Sequence, residues 1–319
     1  MEAGSSLLVA NLLSPVVLAF GLGLLARALR SDLDIPPAIQ SYLSIFLLLA
    51  IGLKGGVALR QDPPDNLWLL LVVTVLAGLA TAASAYLVAR AWLRDVPLQA
   101  GAIAAHYGSV SAVTFIAAQQ FVERLGGEPM EVLVALVVAL EIPAILVGIG
   151  LARGGGRPNW HQVREVLTGR TAMLLLGGLA IGAIAGKAGV QAVDDMYFQL
   201  FQGMLMLFML DMGLVAAGQL RQLGRGFGRL LVYATALPVL HGLAGVAVGH
   251  AVGLGTDGAT VFGAMLASAS YIAAPASVRA SLPEADAGRC ITASLGLTFP
   301  FNLALGIPLY AAFSGWLAG

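Results

Sequence analysis

Four ionisable side chains, Lys54, His106, Glu141 and Asp211, stand well inside long apolar runs of this chain. A charge at that depth of a hydrocarbon layer costs about 3 kcal/mol or more on insertion scales, so each is a candidate for chemistry. Glu141 precedes Pro143 in a run otherwise free of charge, and an internal alignment given below sets it near the amide of Asn302. A carboxylate, an amide, nearby hydroxyls and unwound carbonyls are the oxygen shell that a hard cation such as sodium needs. The competing reading of Glu141 is a carboxylate that pairs two helices. Lys54 and Asp211 fall close together in the same alignment. They can form a buried ion pair or a proton relay, or Lys54 can snorkel towards the boundary marked by Arg60. His106 either touches a substrate or sits hydrogen-bonded in the core, and His241, after Pro238, reads as packing at a kink.

Two polar interruptions matter as much as the charges. One apolar run contains Ala105-His106-Tyr107-Gly108-Ser109-Val110-Ser111-Ala112-Val113-Thr114, and a later one contains Leu266-Ala267-Ser268-Ala269-Ser270-Tyr271-Ile272-Ala273-Ala274-Pro275. Each carries Gly or Pro with a small cluster of hydroxyls. Helices that break there would turn free backbone N–H groups and positive half-helix ends towards each other, giving an anion site that needs no arginine. Broken backbone is tolerated at such depth only where protein or a water-filled cavity covers it. The plainer reading, small residues mediating close helix packing, is accepted for Ser84 and Ser294.

The elements that position these residues follow from composition. With 59% hydrophobic and 11% charged residues in 319, the chain holds far more apolar surface than a water-soluble domain can bury. Its apolar runs lie near 7–29, 36–59, 67–92, 98–121, 131–152, 171–188, 197–220, 229–252, 258–279 and 289–316, which predicts an all-α polytopic membrane protein of about ten spans. Trp68, Trp92, Trp160 and Trp316 fall at or near span ends, as headgroup-level rings do. Of the 17 lysines and arginines, Lys54 is inside a span and Arg60, Arg124 and Lys187 fall on one side, leaving the rest, all arginines, on the other. The arginine-rich side is then cytoplasmic, which puts both termini outside a bacterial inner membrane. The start, Met1-Glu2-Ala3-Gly4, lacks a basic signal-peptide region, so the first run reads as a helix of the protein. Cys290 is the only cysteine, which excludes a disulfide framework and a cysteine-cluster metal site and leaves it as a packing residue.

The halves resemble each other. Ala50–Gln61 aligns with Asp211–Gln222 at five identities in twelve, Gly101-Ala102 lies near Gly263-Ala264, and Gly148-Ile149-Gly150-Leu151 matches Gly306-Ile307-Pro308-Leu309, all at nearly one offset. Five spans per half make the second repeat inverted, with residues 1–152 as the first repeat, 153–170 as a cytoplasmic linker and 171–319 as the second. Inverted repeats are the architecture of secondary carriers, whose site lies near the midplane and alternates access by rocking.

The Gly52-Leu53-Lys54-Gly55-Gly56 segment, Gly108-Ser109-Val110-Ser111, Glu141-Ile142-Pro143-Ala144 and the Pro300–Pro308 tail together resemble the SbtA family of sodium-dependent bicarbonate transporters, over essentially Asn11 to the end. The resemblance implies a trimer in which spans one, two, six and seven form a gate and the others a core, with bicarbonate and sodium bound near the crossing of two broken core helices. It places the anion against Gly108, Ser109, Ser111, Ser268, Ser270 and Tyr271, and sodium against Ser109, Thr114 and Glu141, with Asn302 nearby. It also implies a cytosolic PII-like regulator as partner. The chain departs from the family pattern at Ala112-Val113, where hydroxyls are usual, and at Glu141, where aspartate is usual. The leading expectation is therefore sodium-coupled symport of a small anion. Its alternatives are a proton-coupled carrier using Glu141, Asp211 and Lys54, another sodium-coupled organic-anion carrier, and a receptor subunit that transports nothing. No metal-hydrolase signature, nucleophile elbow or phosphate loop is present, so no enzyme is expected.

Overall fold

The computed structural model describes residues 7–9, 11–128, 130–156, 159–220 and 227–319. No strand occurs among them. Among the described residues eight helical segments are long and apolar enough to cross a membrane, Pro97–Arg124 counting as one across its break, and the chain is an all-α polytopic membrane protein. In order the helices are α1 (Pro15–Ala28), α2 (Pro37–Gln61), α3 (Leu67–Val88), α4 (Pro97–Gly108), α5 (Ala112–Arg124), α6 (Leu133–Ala152), α7 (Trp160–Leu167), α8 (Arg170–Val190), α9 (Phe201–Leu220), α10 (Phe227–Ala251), α11 (Gly255–Leu266), α12 (Ala273–Ser281) and α13 (Ala287–Ala318).

Two of the ten expected spans take another form. The run at 7–29 restarts at Pro15, where Ser14 Oγ accepts from the Val17 N–H at 3.3 Å, and leaves α1 with 14 residues. The run at 258–279 divides into α11 and α12, of 12 and nine residues. The expected linker at 153–170 contains α7, which begins with a capping box: Asn159 Oδ1 accepts from Gln162 N–H and Gln162 Oε1 accepts from Asn159 N–H, both at 2.9 Å. Arg157, Arg221 and Arg225 of the basic side, and the Arg221-Gln222 end of the repeat match, lie outside the described residues.

Glycines set the closest helix contacts. A Cβ on Gly52 of α2 would lie 2.9 Å from the Cα of Gly178 on α8, and one on Gly182 of α8 would lie 3.1 Å from the Cα of Gly56. On α9 a Cβ at Gly213 would lie 3.0 Å from the Cα of Gly23 on α1. With no hydrophobic drive between helices in lipid, such small-residue contacts let backbones approach and gain dispersion energy. At the far end of α2, the Arg60 guanidinium donates to the carbonyls of Ala183 and Ile184 just before the turn at Gly186, whose φ is +65°. A cation there sits at the negative end of a helix segment.

The last helix is not regular. α13 widens into π-turns at Thr292–Thr298 and Asn302–Gly306, and each wide turn carries a buried polar residue, Thr298 or Asn302. Such turns commonly occur at functional sites.

Candidate functional site

Both polar interruptions are breaks. α4 ends at Gly108, the chain is extended at Ser109 and Ser111, and α5 begins at Ala112. α11 ends at Leu266, and α12 resumes at Ala273. The breaks hold each other: the Ser111 N–H donates to Ser268 Oγ at 2.8 Å, and the Ser270 N–H donates to the His106 carbonyl at 2.8 Å. Each unwound strand therefore supplies a backbone group that its own helix leaves unpaired.

Hydroxyls cap the restarting halves. Ser111 Oγ accepts from Thr114 N–H at 3.2 Å, and Ser270 Oγ accepts from Ala274 N–H at 3.2 Å. Ser268 Oγ donates to the Met265 carbonyl at 2.7 Å while accepting from Ser111. Gly108 has a steric role, because a Cβ there would lie 2.5 Å from that of Ala82 and 3.0 Å from that of Ala144. What remains is selective. Of seven buried side-chain polar atoms with no hydrogen-bond partner among the described residues, Ser109 Oγ, Tyr271 OH and His106 Nε2 lie at or next to the breaks, and His106 Nδ1 lies 2.8 Å from the Ala102 carbonyl; the other four belong to Ser44, Asp95, Gln162 and Asp211. Buried polar atoms are nearly always paired in native structures. Three unpaired ones lie at or next to the two breaks.

Glu141 is brought to the same place by helix packing. A Cβ on Gly148 of α6 would lie 2.6 Å from the Cα of Ala105, and Ala144 lies against Gly108. Going down this face of α6 thus follows α4 towards its end, and the next turn reaches Glu141 beside the unwound Ser109–Ser111. Glu141 is 3% exposed and lies on the wall of a cleft of about 490 Å3 shared with Arg170, Thr171, Ile272, Ala273, Ser277 and Arg279. No hydrogen bond or ion pair to its carboxylate occurs among the described residues. Glu141, the carbonyls that end α4, Ser109 and the buried Thr114 supply hard oxygen donors suited to sodium, and the half-helix starts supply N–H donors suited to an anion.

Two expectations are corrected. Lys54 and Asp211 do not pair. Asp211 Oδ1 accepts from Gln40 Nε2 at 2.7 Å, whereas the Lys54 ammonium lies over the rings of Phe201 and Phe198, 4.8 and 5.7 Å from their centroids. α2 and α9 run antiparallel, so the register that joins Gln40 to Asp211 carries Lys54 about 20 Å further along α2. Asn302 does not lie open to a cation either. It is fully buried, with Nδ2 donating to the Ala267 carbonyl at 2.7 Å and Oδ1 accepting from Tyr310 OH at 3.0 Å.

The sequence reading missed the brace behind the crossing. Tyr107 OH and Thr298 Oγ1 are 2.7 Å apart, and Thr298 Oγ1 donates to the Ala234 carbonyl at 2.7 Å. The signal was present in Pro238, which has no N–H for the carbonyl four residues earlier and so leaves Ala234 needing a donor. His241, read as packing, lies with Nε2 2.7 Å from Ser84 Oγ.

On the opposite side of the crossing Lys54 and Glu131 border two pockets. A pocket of about 90 Å3 is bordered by Lys54, Phe115, Gln120, Glu131 and Gln202, and Gln120 Nε2 donates to Gln202 Oε1 at 2.7 Å. Burial pushes the Glu131 carboxyl above the usual range; the Lys54 ammonium opposes this and Glu123 adds to it. A larger cleft of about 1000 Å3, bordered by Lys54, Gln61, Glu131, Lys187 and Asp195, adjoins the smaller pocket on the Lys54 side.

No curated protein gives a significant match to the chain. The family model of the Na+-dependent bicarbonate transporter superfamily does, over residues 15–314, from the first residue of α1 almost to the end of α13 and across both breaks and Glu141. The chain therefore belongs to that superfamily, one of membrane transporters and not of enzymes.

Proposed function

We propose that the protein is a symporter that uses the inward sodium gradient to import a small anion, bicarbonate, through the crossing of its two interrupted helices. The observation that carries this reading is the mutual anchoring of the breaks, with Ser109 Oγ, Tyr271 OH and His106 Nε2 left unpaired. Sodium at Glu141 neutralises the carboxylate and completes a positive pocket; the anion then takes the half-helix N–H groups and the free hydroxyls.

Ten spans in two inverted repeats fit this reading. Repeat-related Gly52 and Gly213 each lie on a glycine of another helix, Gly178 in one case and Gly23 in the other. A swap of halves exchanges α2 on α8 for α9 on α1. Those four helices form the gate and the remainder the core, and the core rocks to expose the site in turn to the arginine-lined side, taken as cytoplasmic, and to the Lys54 side. Labelled bicarbonate uptake into proteoliposomes tests the proposal: uptake should require an inward sodium gradient and fail when choline replaces sodium. Uptake that persists in choline and follows pH would favour the second reading, proton coupling through the unpaired Glu141 carboxylate.

A further inference from the structure

We infer that the amide of Asn302 is a built-in replacement for a cation, so that the protein has one sodium site at the ends of its interrupted helices where its repeat symmetry would offer two. The inference rests on the reading of Glu141 as the sodium-binding carboxylate.

Asn302 and Glu141 occupy matching places. They lie 161 residues apart, the offset that aligns Ala50–Gln61 with Asp211–Gln222. Each stands on the fifth span of its half, beside the end of the first segment of an interrupted helix: Glu141 beside α4 through the Ala144–Gly108 contact, Asn302 beside α11 through the Ala267 carbonyl. The last carbonyls of a helix have no partner within it and carry the negative end of its dipole. In the second repeat Asn302 Nδ2 donates to Ala267 O, and Oδ1 is held by Tyr310 OH, which is 3.3 Å from the Pro238 carbonyl. The Ala267 carbonyl is thus paired without an ion. In the first repeat the matching residue is a carboxylate, an acceptor with no proton to offer when ionised. Ionised Glu141, one turn from the Ala144–Gly108 contact, has no ion-pair partner among the described residues, so a compensating positive charge has to come from a bound cation. Sodium therefore does at α4 what an N–H group does at α11.

Purified full-length protein tests this by melting temperature across a sodium series balanced with choline, and by the sodium dependence of labelled bicarbonate uptake in proteoliposomes. The wild type should gain stability with sodium along a one-site curve, with a Hill coefficient of about 1 for uptake. Glu141→Gln, which places an amide at the first repeat's helix end, should melt in choline at least as high as the wild type in choline and lose the gain from sodium. Asn302→Asp should acquire a second sodium dependence, with a Hill coefficient rising towards about 2. Three results would each overturn the inference: a two-site curve in the wild type, Asn302→Asp remaining folded with one-site behaviour, or Glu141→Gln melting well below the wild type in choline. Sodium insensitivity of the wild type by both measurements is distinguishable from these, because it removes the coupling ion itself and the inference with it.

Discussion

The backbone N–H of Ser111 reaches across 2.8 Å to Ser268 Oγ, so the start of α5 is fixed by the unwound stretch of the opposite interrupted helix. Ser109, two residues earlier, has a buried hydroxyl with no partner. The two serines should therefore fail differently. Ser268→Ala leaves a buried N–H unsatisfied and should lower stability by about 1–3 kcal/mol, with transport falling alongside. Ser109→Ala removes an unpaired hydroxyl, so the melting temperature should hold while uptake drops roughly tenfold, the loss of about 1.4 kcal/mol of binding. Thermal melts run beside uptake assays separate the two.

Bridging α5 to α9 should stop the cycle. With Gln120→Cys and Gln202→Cys on α5 and α9, a short bis-thiol cross-linker should abolish uptake and a cleavable version should restore it on reduction. Native Cys290 is buried and should contribute little background. Full uptake in the cross-linked protein would mean that these helices do not separate during transport.

Space at glycines predicts which of them tolerate a side chain. A Cβ on Gly52 would lie 2.8 Å from the Leu175 carbonyl, whereas Gly21 has nothing within 4 Å. Gly52→Leu should give aggregated or undetectable protein in size-exclusion profiles, since overpacking at a backbone contact costs about 1–3 kcal/mol or more. Gly21→Leu should elute as the wild type.

Asp95 and Arg289 form an ion pair at 2.9 Å between the turn before α4 and the start of α13. Burial raises the Asp95 carboxyl above its ordinary pKa, and Arg289 pulls it back. A raised folded pKa means that the ionised form disfavours folding, so this group's contribution is best at acid pH and declines as pH rises through the folded value. Arg289→Gln removes the compensating charge. It should lower stability near neutral pH by on the order of 2 kcal/mol, less than for a fully buried pair because Arg289 keeps 34% of its side chain exposed. Asp95→Asn should cost less, and only Arg289→Gln should regain stability on acidification. Melts at several pH values decide.

Much of this arrangement was legible in the residues. Gly and hydroxyls within otherwise apolar runs located both breaks, because a helix in lipid tolerates such a cluster chiefly where something covers the opened backbone. The grouping of Glu141 with the first break came from the family resemblance and not from spacing, because the repeat alignment related it only to Asn302. Lys54 and Asp211 were misjudged because alignment of repeats gives equivalence and not contact; their separation depends on the antiparallel register of α2 and α9. The commitment of Asn302 to Ala267 was hidden for another reason: the π-turns of α13 redirect Thr298 and Asn302, and their hydrogen bonds follow from three-dimensional packing.

Where Gly52 meets Gly178, and Gly213 meets Gly23, no rotamer stands between the two backbones. Packed helices ordinarily slide past one another through small side-chain rearrangements. These crossings have none to rearrange, so sliding of α2 on α8, or of α1 on α9, would have to move backbone against backbone. Each pair is therefore expected to behave as a coupled rod, and stiffening the short stretch 62–66 between α2 and α3 should slow transport without touching the interior.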